Sequence, residues 1–258
     1  MVLQFFKYQG TGNDFVIIDN RLQTFPKNDT KLIAKLCDRK FGIGGDGLIL
    51  LENDKMSDFK MVYYNADGAE STMCGNGGRC LVAFANYLGV INGKTSFNAI
   101  DGLHHATIVD DIVELNMTDV DEVKIKPAYS FLDTGSPHHV QLIENLSKLD
   151  VQKEGAKLRY GLYGQVGSNI NFVEQLDSNS FGVRTYERGV EDETLSCGTG
   201  VTAVAIAMHK LGKTSLNSIE VSTPGGNLTI SFDHQEGSYR NIYLKGSAKQ
   251  VYKGEIKW

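Results

Sequence analysis

A duplicated sequence pattern is the feature of this chain that most constrains its fold. Three short matches recur in the same order, each 123 residues apart: Thr-Gly at 11 and 134, Cys-Gly-x-Gly at 74 and 197, and Leu-Gly at 88 and 211. A fourth match, Gly-Lys-Thr-Ser at 93 and 212, is 119 residues apart, so a small gap separates the halves there. Ordered matches at nearly constant spacing indicate a duplicated unit. We therefore predict two pseudo-symmetric lobes, 1–117 and 118–258.

Each half of the sequence centres on one apolar helix. Cys74 and Cys197 are each followed by an apolar segment with helical spacing, which ends at Gly89 or Gly212. Because these segments are apolar almost all round, we expect both helices to be buried. The remaining segments are mostly strand-like and separated by turns. The predicted fold class is α+β, with a sheet wrapped around a central helix in each lobe.

Composition and charge exclude several functions. The chain has 258 residues, 41% of them apolar, which is enough for a core that needs no disulfide or metal. The formal charge is −5 and the basic residues are scattered, so we expect no nucleic-acid or membrane partner. The N-terminus does not resemble a signal peptide, and no apolar run is long enough to cross a membrane. With only four dispersed cysteines, we expect a cytoplasmic protein with reduced thiols.

The repeated Cys-Gly-x-Gly motif predicts reactive thiols. Cys74 and Cys197 come at the N-termini of the two buried helices, where the helix dipole lowers the pKa of a thiol. The backbone N–H groups of a glycine-rich helix start also form an anion site. A pseudo-twofold repeat would place the two sulfurs on opposite sides of one substrate carbon, so that one removes a proton and the other delivers one. Cys37 and Cys80 fall within apolar helices and are interpreted as structural.

Two other motifs are weak signals for cofactors. The segment 42–47 matches the dinucleotide fingerprint G-x-G-x-x-G, but it follows a helix and precedes a strand, the reverse of a pyrophosphate site. His138 and His139 are adjacent, and no cysteine or carboxylate lies nearby at a metal-ligand spacing. We therefore expect neither a nucleotide nor a metal.

Eight motifs along the whole chain fit one known family in order and spacing. They are GTGNDFVIID, FGIGGDG, YNADGAE, MCGNGGRC, GSPHHV, GSNINFVE, YERGVEDETLSCGTG and PGG. Together they resemble the diaminopimelate epimerase family. The resemblance implies barrel-like, mostly antiparallel sheets in the two lobes. It also implies a homodimer and the interconversion of LL- and meso-2,6-diaminopimelate in lysine and peptidoglycan precursor biosynthesis, without pyridoxal phosphate or metal.

The resemblance also assigns candidate site residues. Cys74 and Cys197 match the catalytic pair, and His138 and Glu187 match positions that tune the two thiols. The positions that match substrate-binding residues are Asn13, Asn65, Gly75, Asn76, Asn169, Glu187, Arg188, Gly198 and Thr199. Two residues depart from the family pattern, because Gly47 stands where Gln is common and Ser136 where Asn is common.

Two alternative functions remain open on the sequence alone. A proline- or hydroxyproline-type racemase would use the same pair of cysteines, although the motif YERGVEDET argues against it. A non-catalytic redox or scaffold protein would instead join Cys74 and Cys197 in a disulfide. Substitution of either cysteine under reducing conditions separates an enzyme from a scaffold.

Overall fold

The computed structural model describes residues 2–257, so Met1 and Trp258, the outer limits of the predicted lobes, lie outside the described residues. The helices are α1 (Thr30–Cys37), α2 (Gly75–Tyr87), α3 (Val151–Tyr163) and α4 (Gly198–Lys210), with a 3-10 turn at Leu146–Lys148. The strands are β1 (Val2–Gly10), β2 (Asn13–Asp19), β3 (Gly47–Glu52), β4 (Phe59–Asn65), β5 (Lys94–Ala99), β6 (Gly102–Val109), β7 (Ile112–Asn116), β8 (Lys124–Ile125), β9 (Ser130–Asp133), β10 (Pro137–Leu142), β11 (Asn169–Gln175), β12 (Ser180–Glu187), β13 (Asp192–Thr194), β14 (Ser218–Thr223), β15 (Gly226–Gln235), β16 (Ser238–Ser247) and β17 (Lys249–Lys257). None of the helices within residues 2–257 is long and apolar enough to cross a membrane.

The chain divides into two compact units, Met1–Leu115 with Gly246–Trp258, and Asn116–Lys245. The first division falls close to the predicted boundary, but the C-terminal segment differs from the prediction because it belongs to the first unit. The reason is strand pairing, since β17 runs antiparallel to β1 along nearly its whole length. In the second unit β8 pairs antiparallel with β9 in the same way, and the short motifs of the sequence repeat include neither β8 nor β17.

The two units share one order of strand pairing. In the first unit β1–β2 is antiparallel, β2–β3 parallel, β3–β4 antiparallel and β4–β5 parallel, and β5–β6 and β6–β7 are antiparallel. In the second unit the same series runs β9–β10, β10–β11, β11–β12, β12–β14, β14–β15 and β15–β16. Each parallel pairing is bridged by a helical crossover, as parallel strands require. The predicted α+β fold of two similar, mostly antiparallel lobes is confirmed.

One helix lies at the centre of each unit. In the first unit α2 packs against β1, β2, β3, β4, β6 and β17, and in the second α4 packs against β9, β10, β11, β12, β14 and β15. The residues 75–85 of α2 are all buried, as the apolar pattern predicted. Glycine permits this close approach, because a Cβ at Gly77 would lie 3.1 Å from Ile49 Cδ1 and one at Gly78 would lie 3.0 Å from Leu115 Cδ2.

Candidate active site

The two repeated cysteines occupy the N-cap positions of α2 and α4. Cys74 and Cys197 both have extended backbone angles, and neither side chain caps its helix. The other two α-helices are capped conventionally, since Asp29 accepts a hydrogen bond from the N–H of Leu32 and Asp150 from that of Lys153. The helices that begin with cysteine therefore do not use a side-chain cap for their first-turn N–H groups, which are the groups that bind anions at a helix start.

Cys74 lies in a group of polar side chains that includes two of the predicted substrate-binding residues. Its Sγ is 3.7 Å from Oδ1 of Asn13, and Nδ2 of Asn76 donates to the same oxygen at 3.3 Å. Asn13 is placed there by the tight β1–β2 hairpin, in which Thr11 and Gly12 both have positive φ angles. The Thr11 hydroxyl in turn donates to Oδ1 of Asn76 at 3.4 Å.

A network of ion pairs holds the amide of Asn13, and the sequence motifs did not predict it. Asn13 Nδ2 donates to Oδ2 of Asp46 at 2.5 Å, and Arg39 pairs with Asp46 at 2.7 Å and with Asp14 at 2.6 Å. Lys7 pairs with Asp14 at 2.7 Å. Burial alone would raise the pKa of Asp14, but hydrogen bonds from Arg39 and Lys7 outweigh it and lower the pKa to about 2. Because Asp46 can only accept when ionised, Asn13 must present its oxygen to Cys74.

Asn65 and Gly47 face each other across β3 and β4. Their backbones pair directly across the two strands, and Gly47 is the residue that follows Asp46. Asn65 is exposed at the end of β4, and its side chain makes no hydrogen bond within the described residues. A Cβ at Gly47 would lie 2.5 Å from Tyr63 Cε2 and equally close to the Tyr64 carbonyl oxygen. The departure at Gly47 thus has a packing reason, because the Tyr63 ring occupies the space of a side chain at that position.

Arg79 is a buried cation behind the first turn of α2. It has no exposed surface, and it donates to the carbonyl of Gly75 at 3.4 Å and to the Thr11 hydroxyl at 3.3 Å. No carboxylate within residues 2–257 pairs with it, and burial lowers the pKa of its guanidinium. The charge interacts with the thiols of Cys80 and Cys74. A cation in this place favours negative charge at the start of α2, and the sequence signal for it was its position inside MCGNGGRC.

The first turn of α4 repeats the arrangement at α2. Cys197 is buried, and its Sγ lies 3.5 Å from the hydroxyl oxygen of Thr199. Either the thiol or the hydroxyl can be the donor of this hydrogen bond. Thr134 donates to the carbonyl of Thr199 at 2.9 Å. Thr134 and Thr199 correspond in the sequence repeat to Thr11 and Asn76, which are also in contact. The duplication therefore preserves the support of each cysteine turn as well as the cysteine itself.

Asn169, Arg188 and Ser136 form one polar cluster. Asn169 accepts from the backbone N–H of Arg188 at 2.8 Å and donates to Ser136 Oγ at 3.0 Å. Arg188 Nη2 reaches the same Ser136 oxygen at 3.4 Å, while Nη1 donates to the Val166 carbonyl at 3.2 Å. The departure at Ser136 thus keeps a polar contact with both predicted substrate-binding residues. The exposed guanidinium retains N–H groups suited to a carboxylate.

The predicted tuning residues both lie in the second unit, His138 in β10 and Glu187 at the end of β12. His138 has no exposed surface, and burial, followed by the charge of Arg188, lowers the pKa of its imidazole to about 3. The imidazole is therefore neutral at physiological pH. Glu187 is half-buried at the end of β12, and its Oε2 accepts from the Thr194 hydroxyl at 2.9 Å.

Cys37 and Cys80 differ from the N-cap cysteines. Both are buried within helices, and burial raises the pKa of each thiol to about 12. A thiol with such a pKa is not a nucleophile or base at neutral pH, which agrees with their interpretation as structural. Within residues 2–257 no cluster of His, Cys, Asp and Glu has the grouping needed to hold a metal ion.

The architecture defines a class of α+β proteins built from two similar units, and in this chain each unit carries a cysteine at the start of its central helix. Two solved structures share the fold, a Bacillus anthracis phenazine biosynthesis protein of the PhzF family (TM-score 0.81, 14% identity, 100% of both chains) and a hydroxyproline epimerase from Agrobacterium vitis with bound trans-4-hydroxy-L-proline (TM-score 0.74, 15% identity, 99% of this chain and 92% of the other). Likeness at such low identity shows the fold alone.

The chain belongs to the diaminopimelate epimerase family, whose model matches residues 5–123 and 130–251. A diaminopimelate epimerase from Flavobacterium psychrophilum is 64% identical over 256 residues, which cover 98% of this chain and 100% of the relative. Family membership makes this protein an enzyme, as the sequence predicted, and it removes the alternative of a non-catalytic redox or scaffold protein.

Proposed function

We propose that the protein interconverts LL- and meso-2,6-diaminopimelate by two-base proton transfer at one α-carbon. The observation that carries the proposal is the duplicated N-cap cysteine, Cys74 and Cys197, each at a buried helix without a side-chain cap. Membership in the diaminopimelate epimerase family supports the choice of substrate. The reaction belongs to the synthesis of lysine and of peptidoglycan precursors.

The reaction needs one sulfur as a thiolate and the other as a thiol. The thiolate removes the α-proton of the substrate, and the electron pair of the broken C–H bond is delocalised towards the adjacent carboxylate. The thiol then protonates the same carbon from the opposite face, which inverts its configuration. After release, the two sulfurs have exchanged protonation states, so they titrate as a pair. No step of this scheme calls for pyridoxal phosphate or a metal.

The first turns of α2 and α4 are proposed to bind the carboxylate at the reacting end. Backbone N–H groups of Gly75, Asn76, Gly198 and Thr199 would stabilise the negative charge as it grows on that carboxylate. We assign the opposite end of the substrate to polar side chains that can hold an ammonium or a carboxylate. These are Asn13, Asn65, Asn169, Glu187 and Arg188.

His138 and Glu187 are proposed to set the balance between thiol and thiolate. We also place the reaction in the cytoplasm, because thiol chemistry requires a reducing compartment. A homodimer is proposed on the family resemblance, and analytical ultracentrifugation of the reduced protein tests it. A single sedimenting species of monomer mass would remove that proposal.

The function is tested by incubating the reduced protein with LL-diaminopimelate in D2O and following the product by NMR and chiral chromatography. We expect meso product that carries deuterium at one α-carbon. Cys74→Ala and Cys197→Ala should each abolish inversion, whereas Cys37→Ala, which removes a buried thiol far down α1, should retain it. Inversion of proline in place of diaminopimelate, or no exchange with verified reduced protein, would refute the proposal.

A further inference from the structure

The orientation of one buried amide, that of Asn171, is fixed by its neighbours. Asn171 lies in β11 and has no exposed surface. One terminal atom of its amide is 2.9 Å from the carbonyl oxygen of His139. Because a carbonyl can only accept, this atom must be Nδ2. The other terminal atom, Oδ1, accepts the hydroxyl of Thr185, its direct cross-strand partner, at 3.0 Å.

The fixed amide determines the protonation of His138. The same Nδ2 of Asn171 lies 3.1 Å from Nδ1 of His138. An amide nitrogen does not accept hydrogen bonds, so the contact forms only if Nδ1 carries no proton and accepts the second hydrogen of Nδ2. In both the imidazolium and the Nδ1–H tautomer, the Nδ1–H of His138 would point at an N–H of Asn171, and two donors form no hydrogen bond. The proton of the neutral ring is therefore on Nε2, since the bond at one ring nitrogen sets the state of the other.

We infer that Asn171 is a positioning residue that holds His138 in the neutral Nε2–H form, so that His138 serves the reaction as a hydrogen-bond donor and not as a base. Nε2 is buried and has no hydrogen-bond partner within residues 2–257. A buried donor of this kind is suited to a group that is negatively charged during the reaction, a thiolate or a substrate carboxylate. This role rests on the proposed function, whereas the assignment of the tautomer does not.

The network reaches the turn that carries Cys197. Gly200, in the first turn of α4, packs on Asn171 so closely that a Cβ there would lie 2.6 Å from Oδ1. The same Cβ would lie 3.4 Å from Sγ of Cys197. The chain from Thr185 through Asn171 thus connects to both His138 and the cysteine helix. The charge of Arg188, which follows β12, also disfavours protonation of the His138 imidazole.

The tautomer is tested directly by NMR of the protein labelled with 15N-histidine, with His138→Gln to assign its signals. At pH 7 we expect Nδ1 of His138 to have the shift of an unprotonated nitrogen and Nε2 that of a protonated one. The reverse pattern, or an imidazolium, would overturn the inference. Asn171→Asp, which replaces the donor with an acceptor of the same shape, should move the proton to Nδ1.

The role in the reaction is tested by kinetics of the same variants. Asn171→Asp should lower kcat about 100-fold, within the range for losing one hydrogen-bond donor to a developing negative charge, and change the pH profile while KM changes less. Asn171→Leu, which removes the donor without adding an acceptor, should give a loss of kcat and a mixture of tautomers, and it serves if Asn171→Asp does not fold. An altered tautomer with unchanged kcat would overturn the role. The expected tautomer in a wild-type protein that does not epimerise diaminopimelate would refute only the proposed function.

Discussion

Gly200→Ala gives a sharp test of how tightly the Cys197 turn is packed. The added Cβ would meet Asn171 Oδ1 at 2.6 Å and Cys197 Cβ at 3.2 Å. Asn171 cannot turn away without losing hydrogen bonds to buried partners, so α4 or β11 must shift. Overpacking of this kind costs about 1–3 kcal/mol, while alanine gains at most about 1 kcal/mol over glycine in a helix. We expect the unfolding free energy to fall by about 0–3 kcal/mol, and kcat to fall by a larger fraction than the unfolding free energy does.

Gly161→Ala is the matched control, because Gly161 is an exposed residue of α3 with no atom within 4 Å of an added Cβ. Because alanine has a higher helix propensity than glycine and meets no neighbour here, Gly161→Ala should raise the unfolding free energy by about 0.5–1 kcal/mol. Urea unfolding of both variants and their epimerase rates make the comparison. If Gly200→Ala is stabilised as much as Gly161→Ala and keeps wild-type turnover, the close packing inferred for this turn is wrong.

Two further predictions concern acid stability and thiol reactivity. The pKa of Asp14 is about 2 in the folded protein against an ordinary 3.8, so its contribution to stability is present above pH 3.8 and is lost as the pH falls towards 2. Arg39→Ala should reduce the loss of unfolding free energy between pH 7 and pH 3, which urea unfolding at the two pH values measures. An equal loss in the wild-type and Arg39→Ala proteins would contradict this prediction. Iodoacetamide at pH 7.5 should modify Cys74 in the native protein and leave Cys37 and Cys80 unmodified, because burial raises the pKa of both to about 12. Mass spectrometry of peptides reads the outcome, and early modification of Cys80 would count against it.

The fold was accessible from the sequence where the pattern was local or repeated. The central helices are continuous apolar segments that begin at a distinctive motif, so the sequence predicts α2 and α4 with Cys74 and Cys197 at or near their N-termini. The sequence pattern did not predict α3. Its buried positions include Gly155 and Arg159, which do not form an apolar stripe. Gly155 is required because a Cβ there would lie 2.4 Å from Tyr186, and that contact depends on the tertiary fold.

The candidate site was predictable to a similar extent. Motif matching proposed residues that would touch a substrate, but it did not point to the neighbours that orient their side chains. Asp46 fixes the amide of Asn13 across 33 residues of chain, and Thr185 fixes that of Asn171 through strand register. Such partners are specified by which strands pair and in what register, and a single sequence does not state either. Asp46 and Thr185 can be identified as such partners only when the positions of β2, β11 and β12 are known.

The absence of side-chain caps on α2 and α4 implies a conflict between stability and activity. An Asp, Ser or Asn at an N-cap stabilises a helix by about 1 kcal/mol, and the chain uses such caps at α1 and α3. Cysteine is a weak hydrogen-bond acceptor, so a thiol at this position gives up part of that stabilisation while its sulfur stays available for the proposed proton transfer.

Cys74→Ser should therefore raise the unfolding free energy by up to about 1 kcal/mol, since a hydroxyl at this extended backbone position can accept a first-turn N–H. The same variant should lose epimerase activity, because a serine hydroxyl does not ionise near neutral pH. Asp29→Ala, which removes the cap of α1, calibrates the scale with an expected loss of about 1 kcal/mol. Urea unfolding with reducing agent measures all three proteins. If the Cys74→Ser protein is less stable than wild type, the thiol itself stabilises the fold. The inferred conflict between stability and activity at this N-cap would then be wrong.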